Sequence, residues 1–131
     1  MQQVFLNILL NAIQAMSRGG LLTLRTFTEP PDPPWAGVRV EIADTGAGIP
    51  AEYLHRVFDP FFTTKQGGTG LGLSVSHRIV AAHGGELSVA SKEDQGTRFT
   101  VRLPTRPPIC PPQAEVRGSD SAILCGRRMA A

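Results

Sequence analysis

Asn7 and Asn11 interrupt a run that is otherwise almost wholly apolar, Val4-Phe5-Leu6-Asn7-Ile8-Leu9-Leu10-Asn11-Ala12-Ile13. A spacing of four puts both amides on one face of a helix, one turn apart. A buried amide without a partner costs on the order of a few kcal/mol. Something polar must therefore meet that face. Asp44 is a second candidate. It follows the alternating segment Val38-Arg39-Val40-Glu41-Ile42 and precedes Thr45-Gly46-Ala47-Gly48-Ile49-Pro50. Asp and Gly are ordinary turn residues. A carboxylate at a strand end can also accept from an exocyclic amine. Gly46 and Gly48 would then let the backbone approach a flat base without a Cβ clash.

The stretch Gly67-Gly68-Thr69-Gly70-Leu71-Gly72-Leu73-Ser74 runs into a second helical pattern. Glycines there expose N–H groups at a helix N-terminus, where the dipole favours anions. The order is not the dinucleotide fingerprint, because no strand precedes it. Nor is it a P-loop, because no Lys-Ser/Thr follows the last glycine. A flexible linker would look much the same. Lys65 lies just before these glycines, either as a solvated surface side chain or as a cation for phosphate oxygens. Phe58, Phe61 and Phe62 precede it. They could anchor a lid to the core or dock on a partner. His55, His77 and His83 are scattered and suggest no metal-ligand set. The paired amides and the two Gly-rich stretches together point to a nucleotide and its metal ion.

These residues need elements to position them. Residues 2–17 read as a helix, apolar nearly all round and hence buried. Arg18-Gly19-Gly20 ends it, with glycine where a left-handed backbone is favoured. Residues 21–28 alternate as a strand, and residues 38–42 alternate cleanly. They form a hairpin around Pro30-Pro31-Asp32-Pro33-Pro34, which reads as a loop outside any ladder. Pro50 opens a short helix over 51–58, and residues 59–70 read as a loop. A second long helix runs from 71 to 83, and Gly84-Gly85 stops it. Residues 86–91 and 97–103 make a second hairpin. The expected fold class is α+β, a two-layer sandwich with helices on one face of a mostly antiparallel sheet. An alternating βαβ pattern is missing, which disfavours a Rossmann sheet.

The bulk composition agrees. Of 131 residues, 41% are hydrophobic and 18% charged, as in ordinary soluble domains. The expected organisation is one domain over residues 1–104 and a Pro-rich, disordered tail over 105–131. Residues 1–104 carry equal numbers of basic and acidic side chains. They leave no electrostatic footprint for nucleic acid. Cys110 and Cys125 both lie in the tail and make neither a disulfide framework nor a metal spacing. No apolar run reaches the ~18 residues of a membrane span, and no basic region precedes residues 4–16 as in a signal peptide. The expected compartment is the cytoplasm, with no membrane contact by this segment.

In this order the motifs resemble the ATP-binding catalytic domain of sensor histidine kinases, in the Bergerat-fold (GHKL) superfamily. The N box matches Asn7 to Ala12, and the G1 box matches Asp44 to Pro50. The F box matches Phe58-Asp59-Pro60-Phe61-Phe62-Thr63-Thr64-Lys65, and the G2 box matches Gly68 to Ser74. The short Thr-Thr-Lys lid resembles the nitrogen-regulation type. The resemblance implies ATP and Mg²⁺ as cofactors. Asn11 would bind Mg²⁺, with Asn7 beside the phosphates. Asp44 would accept from the adenine amine, with Gly46 and Gly48 shaping the base pocket. Gly68, Thr69, Gly70, Leu71 and Gly72 would line the triphosphate, Lys65 would be the lid cation, and Thr97 would lie near the adenine.

ATP-hydrolysing relatives carry Glu at position 7, as base for an attacking water. An amide cannot take that proton at neutral pH. Asn7 therefore favours γ-phosphoryl transfer to a histidine outside this chain, with Asn7 and Lys65 as the catalytic pair. The implied partners are the dimerising, phosphoaccepting helical hairpin of a parent kinase, which could itself be membrane-anchored, and a downstream response regulator. Two departures stand out. Gln14 replaces a frequent basic residue, which would remove a phosphate contact. The chain also starts at the N box, so the family's first strand and helix are expected to be missing, as in a C-terminal fragment. Other readings are an ATPase or anti-sigma serine kinase of the same superfamily, or an inactive binding fragment.

Overall fold

A computed structural model describes residues 1–32 and 35–105. Helix α1 spans Gln2–Ala15, and strands β1 (Leu22–Asp32) and β2 (Trp35–Asp44) follow it. A 3-10 turn at Ala51–Tyr53 leads through a long loop to helix α2 (Gly72–Ala82). Strands β3 (Glu86–Lys92) and β4 (Gly96–Pro104) complete the described chain. The sheet order is β1-β2-β4-β3, and each neighbouring pair is antiparallel. Both helices lie on one face, as a two-layer α+β sandwich requires. α1 packs on β2 and β4 and against α2, while α2 packs on β3.

Strand alternation builds the core. Val40 and Ile42 on β2 pair with Val101 and Phe99 on β4, which pair in turn with Leu87 and Val89 on β3. Val4 and Ile8 of α1 and Val80 of α2 close over this surface with no exposed area. Each such side chain stabilises the fold by about 1.5–3 kcal/mol through burial. The next row continues the same face to the end of the sheet. It holds Leu22, Asp44, Thr97 and Ser91. The period that buries Ile42 therefore delivers Asp44 to the helix side, where it is 6% exposed.

Three expectations need correction. α1 is not buried all round: Val4, Ile8 and Ala12 are, but Leu6, Leu10 and Ile13 are 56%, 45% and 58% exposed. The stripe at 4, 8 and 12 is buried, Met1, Phe5 and Leu9 pack at the margin of the core, and the side that carries Leu6, Leu10 and Ile13 is left largely open. The prolines at 30 and 31 do not fall outside the strand, because β1 continues to Asp32. β1 is an edge strand with a register shift between Glu29 and Asp32, and edges and bulges are where proline is tolerated. The segment 51–58 is a single 3-10 turn followed by tight turns. Arg56 N–H donates to the Tyr53 carbonyl and Asp59 N–H to the Arg56 carbonyl, both at 2.9 Å. The neighbouring described strands all pair antiparallel, within the expected mostly antiparallel sheet. The expected disordered tail, with both cysteines, lies outside the described residues after Thr105. No described helix is long and apolar enough to cross a membrane.

Candidate functional site

A cavity of about 350 Å³ opens between α1, the loop before α2, and the sheet end that carries Asp44. Asn7, Asn11, Asp44, Gly48, Lys65, Gly68, Thr69, Gly70, Gly72 and Thr97 all line it. Gly46 and Leu71 do not. Gly46 instead sits so close to the end of α1 that a Cβ would meet the Ala15 carbonyl. That carbonyl accepts the Ala47 N–H at 3.1 Å, so the loop caps the helix C-terminus. Leu71 precedes the first turn of α2, and its side chain is 37% exposed.

The cavity has two unlike ends. At the sheet end, Asp44 Oδ1 accepts from Gly46 N–H at 2.9 Å and from Thr97 N–H at 3.3 Å. Both bonds use one oxygen, so among the described residues Oδ2 remains for a ligand donor. Ser91 Oγ accepts from Ile49 N–H at 2.7 Å and donates to the Gly96 carbonyl at 2.9 Å. With its one proton spent, Ser91 must accept from the Thr97 hydroxyl, 2.8 Å away. Gly48 has a φ of +73°, and a Cβ there would run into the Lys92 carbonyl. Glycine is what permits this close approach.

The other end lies where α2 begins. Asn7 Nδ2 donates to the Gly72 carbonyl at 3.0 Å and to Ser76 Oγ at 3.1 Å. Asn7 and Ala15 are eight residues apart on α1, which separates the two ends by roughly 12 Å along the helix axis. Gly72 and Leu73 bring the N-terminus of α2 to this end, and an anion is favoured there. Lys65 Nζ donates to Asn11 Oδ1 at 2.9 Å and to Gln14 Oε1 at 2.6 Å. Partial burial of the ammonium lowers its pKa from the ordinary lysine value.

Gln14 was expected only as a lost contact, yet it holds the Lys65 ammonium. Its spacing of seven from Asn7 placed it on the same helix face, so the pattern carried that signal. Ser91 was legible from the alternation of β3, whereas Ser76 gave no signal. The loop itself is anchored by two of its three phenylalanines. Phe58 packs at the core margin and lies 5.1 Å from the His77 ring. Phe62 lies 5.6 Å from Tyr53 and beneath Arg56. Phe61 points outward, 76% exposed, with a φ of +66°, and its N–H bonds the Gly70 carbonyl at 2.9 Å.

Fold and cavity define a two-layer sandwich domain with a ligand site between a helix face, a glycine-rich loop and a sheet end. The chain matches the family described as histidine kinase-, DNA gyrase B- and HSP90-like ATPase over residues 1–107, and it belongs to that family. It is 50% identical over 102 residues to the sensor histidine kinase ZraS of Escherichia coli O157:H7. That match takes in 78% of this chain and 21% of the relative, so the chain spans about a fifth of that kinase. The mycobacterial sensor histidine kinase MprB has a similar solved structure. The TM-score is 0.68 at 33% identity, over 80% of this chain and 70% of that one. Full-length ShkA in complex with AMPPNP matches with a TM-score of 0.65 at 33% identity, over 78% and 20%.

Proposed function

We propose that this chain binds ATP with Mg²⁺ and presents the γ-phosphoryl group to a histidine on a helical hairpin of a parent sensor kinase. The observation that carries the proposal is the pair of unlike cavity ends. A carboxylate with one free oxygen suits an exocyclic amine. A helix N-terminus beside Asn7, roughly 12 Å away along α1, suits phosphates, with Asn11 and Lys65 between the two ends. The relative ShkA was solved with AMPPNP, which supports an adenine nucleotide here. A response regulator would receive the phosphoryl group afterwards.

The donor set fits Mg²⁺. Amide oxygens are hard ligands of the kind this ion takes together with phosphates. Asn11 Oδ1 already holds a cation, the Lys65 ammonium, at 2.9 Å. No trio of acidic, His or Cys side chains among the described residues offers an alternative. Asn11 would hold the ion, which when bound neutralises charge on the phosphates. Lys65 then moves from the amides to phosphate oxygens, and Asp44 with Thr97 orients the base. Asp44 is the one carboxylate among the lining residues, and none of them is a histidine. No carboxylate or imidazole stands beside the amides to deprotonate water, which supports transfer to an external nucleophile.

The chain should be mixed with γ-labelled ATP, Mg²⁺ and the parent kinase's helical hairpin. Acid-labile label on the hairpin is the expected result. Release of inorganic phosphate at the same rate with and without the hairpin would point to an ATPase instead.

A further inference from the structure

The Lys65 ammonium bonds two amides, Asn11 Oδ1 at 2.9 Å and Gln14 Oε1 at 2.6 Å. An ammonium has three donors and no acceptor, so both amides must turn an oxygen toward it. The amides belong to α1 and the ammonium to the loop before α2, so this side chain ties two walls of the cavity together. A ligand that reaches from Asp44 to the start of α2 runs past the tie. The backbone of Lys65 is fixed separately. Its N–H donates to Thr63 Oγ1 at 3.1 Å, and its carbonyl accepts from Gly68 N–H at 3.2 Å. Freeing the ammonium therefore leaves the turn standing. The Asn11 oxygen is also the one assigned to Mg²⁺, and an ammonium and a metal ion on one oxygen repel. Gln14 has no second duty of that kind.

We infer that Gln14 is a latch on Lys65: it holds the ammonium on α1 and competes for it with the phosphates of the nucleotide. This rests on the ATP–Mg²⁺ reading above, in which Lys65 leaves the amides for phosphate oxygens. The bond to Gln14 breaks in that exchange, so the latch raises the apparent Kd in proportion to the molecules it holds closed. A phosphate contact, or a support that steadies Lys65 on phosphate, would act in the opposite sense. The sign of one substitution separates these roles. Gln14 is exposed on α1, so truncating it leaves the core intact.

Titration of the full chain with ATP and Mg²⁺ gives the first readout. Gln14→Ala should bind about three- to tenfold more tightly than the wild type, the worth of one hydrogen bond. In a Lys65→Met background the same substitution should change nothing. The second readout needs no nucleotide. Acetic anhydride acetylates free lysine amines, and the chain's other lysine, the exposed Lys92, serves as internal reference. Relative to Lys92, Lys65 should be acetylated faster in Gln14→Ala. It should be acetylated more slowly in Gln14→Glu, whose carboxylate grips the ammonium harder. Weaker ATP binding by Gln14→Ala overturns the inference, and so does an unchanged acetylation ratio. A wild type that binds no ATP overturns the nucleotide reading and the competition with it. A wild type that binds ATP with the same affinity as Gln14→Ala overturns this inference alone.

Discussion

An amide at position 7 cannot take a proton from water at neutral pH, and that bounds the chemistry open to the cavity. Asn7 donates twice to α2, and Asn11 accepts from Lys65. The two asparagines thus join α1, the start of α2 and the loop before it. Lys65 is the most exchangeable member. Its ammonium sits on two neutral amides, which bond it more weakly than phosphate oxygens would. Lys65→Gln should weaken ATP binding about tenfold, the scale of a hydrogen bond to a charged group. It should also flatten the dependence of affinity on salt, since one cation–phosphate contact is gone. Titrations at low and high ionic strength check both effects. Unchanged affinity and salt dependence would remove Lys65 from the phosphate end.

At the scale of elements, position is delivered by strand period and loop closure. β2 and β4 carry Asp44 and Thr97 in register, and the loop after β2 closes back on α1 and on the turn between β3 and β4. Gly48 is where that closure is tightest. Gly48→Ala should cost about 1–3 kcal/mol, from a left-handed backbone and a clash with the Lys92 carbonyl. Thermal melting without nucleotide should show a lowered midpoint. An unchanged midpoint would mean that the loop relaxes freely. Much of this was legible in the sequence. Alternation in residues 38–42 and 97–103 fixes which side chains share the helix face, and spacing of four puts Asn7 and Asn11 together. Other elements depended on tertiary context. The apolar pattern of α1 cannot say which of its sides will find a partner. The prolines at 30 and 31 read as breakers until β1 proves to be an edge. Residues 51–58 have helical composition but close only i to i+3 turns. Gln14 and Ser76 acquire roles only through residues more than fifty positions away.

At the scale of the molecule, the two helices and four-stranded sheet of the described residues leave a cavity at one end and an apolar margin at one side. Leu6, Leu10 and Ile13 on α1, with Leu24 on the helix side of β1, make up that margin. The cavity belongs to the whole arrangement, since α1, the loop before α2 and the sheet each supply one wall. Membership of the histidine kinase-like ATPase family and the two-ended cavity lead to one claim: adenine at Asp44 and phosphates at α2. Asp44→Asn is suited to test it. The asparagine oxygen can keep both backbone bonds, from Gly46 and Thr97, so the sheet end is preserved. Its NH₂ then faces the adenine amine, donor against donor. Titration of both proteins with ATP and Mg²⁺ should show specific binding by the wild type. The variant should bind at least about tenfold more weakly, the loss of one charge-assisted hydrogen bond. Equal affinities would contradict the account.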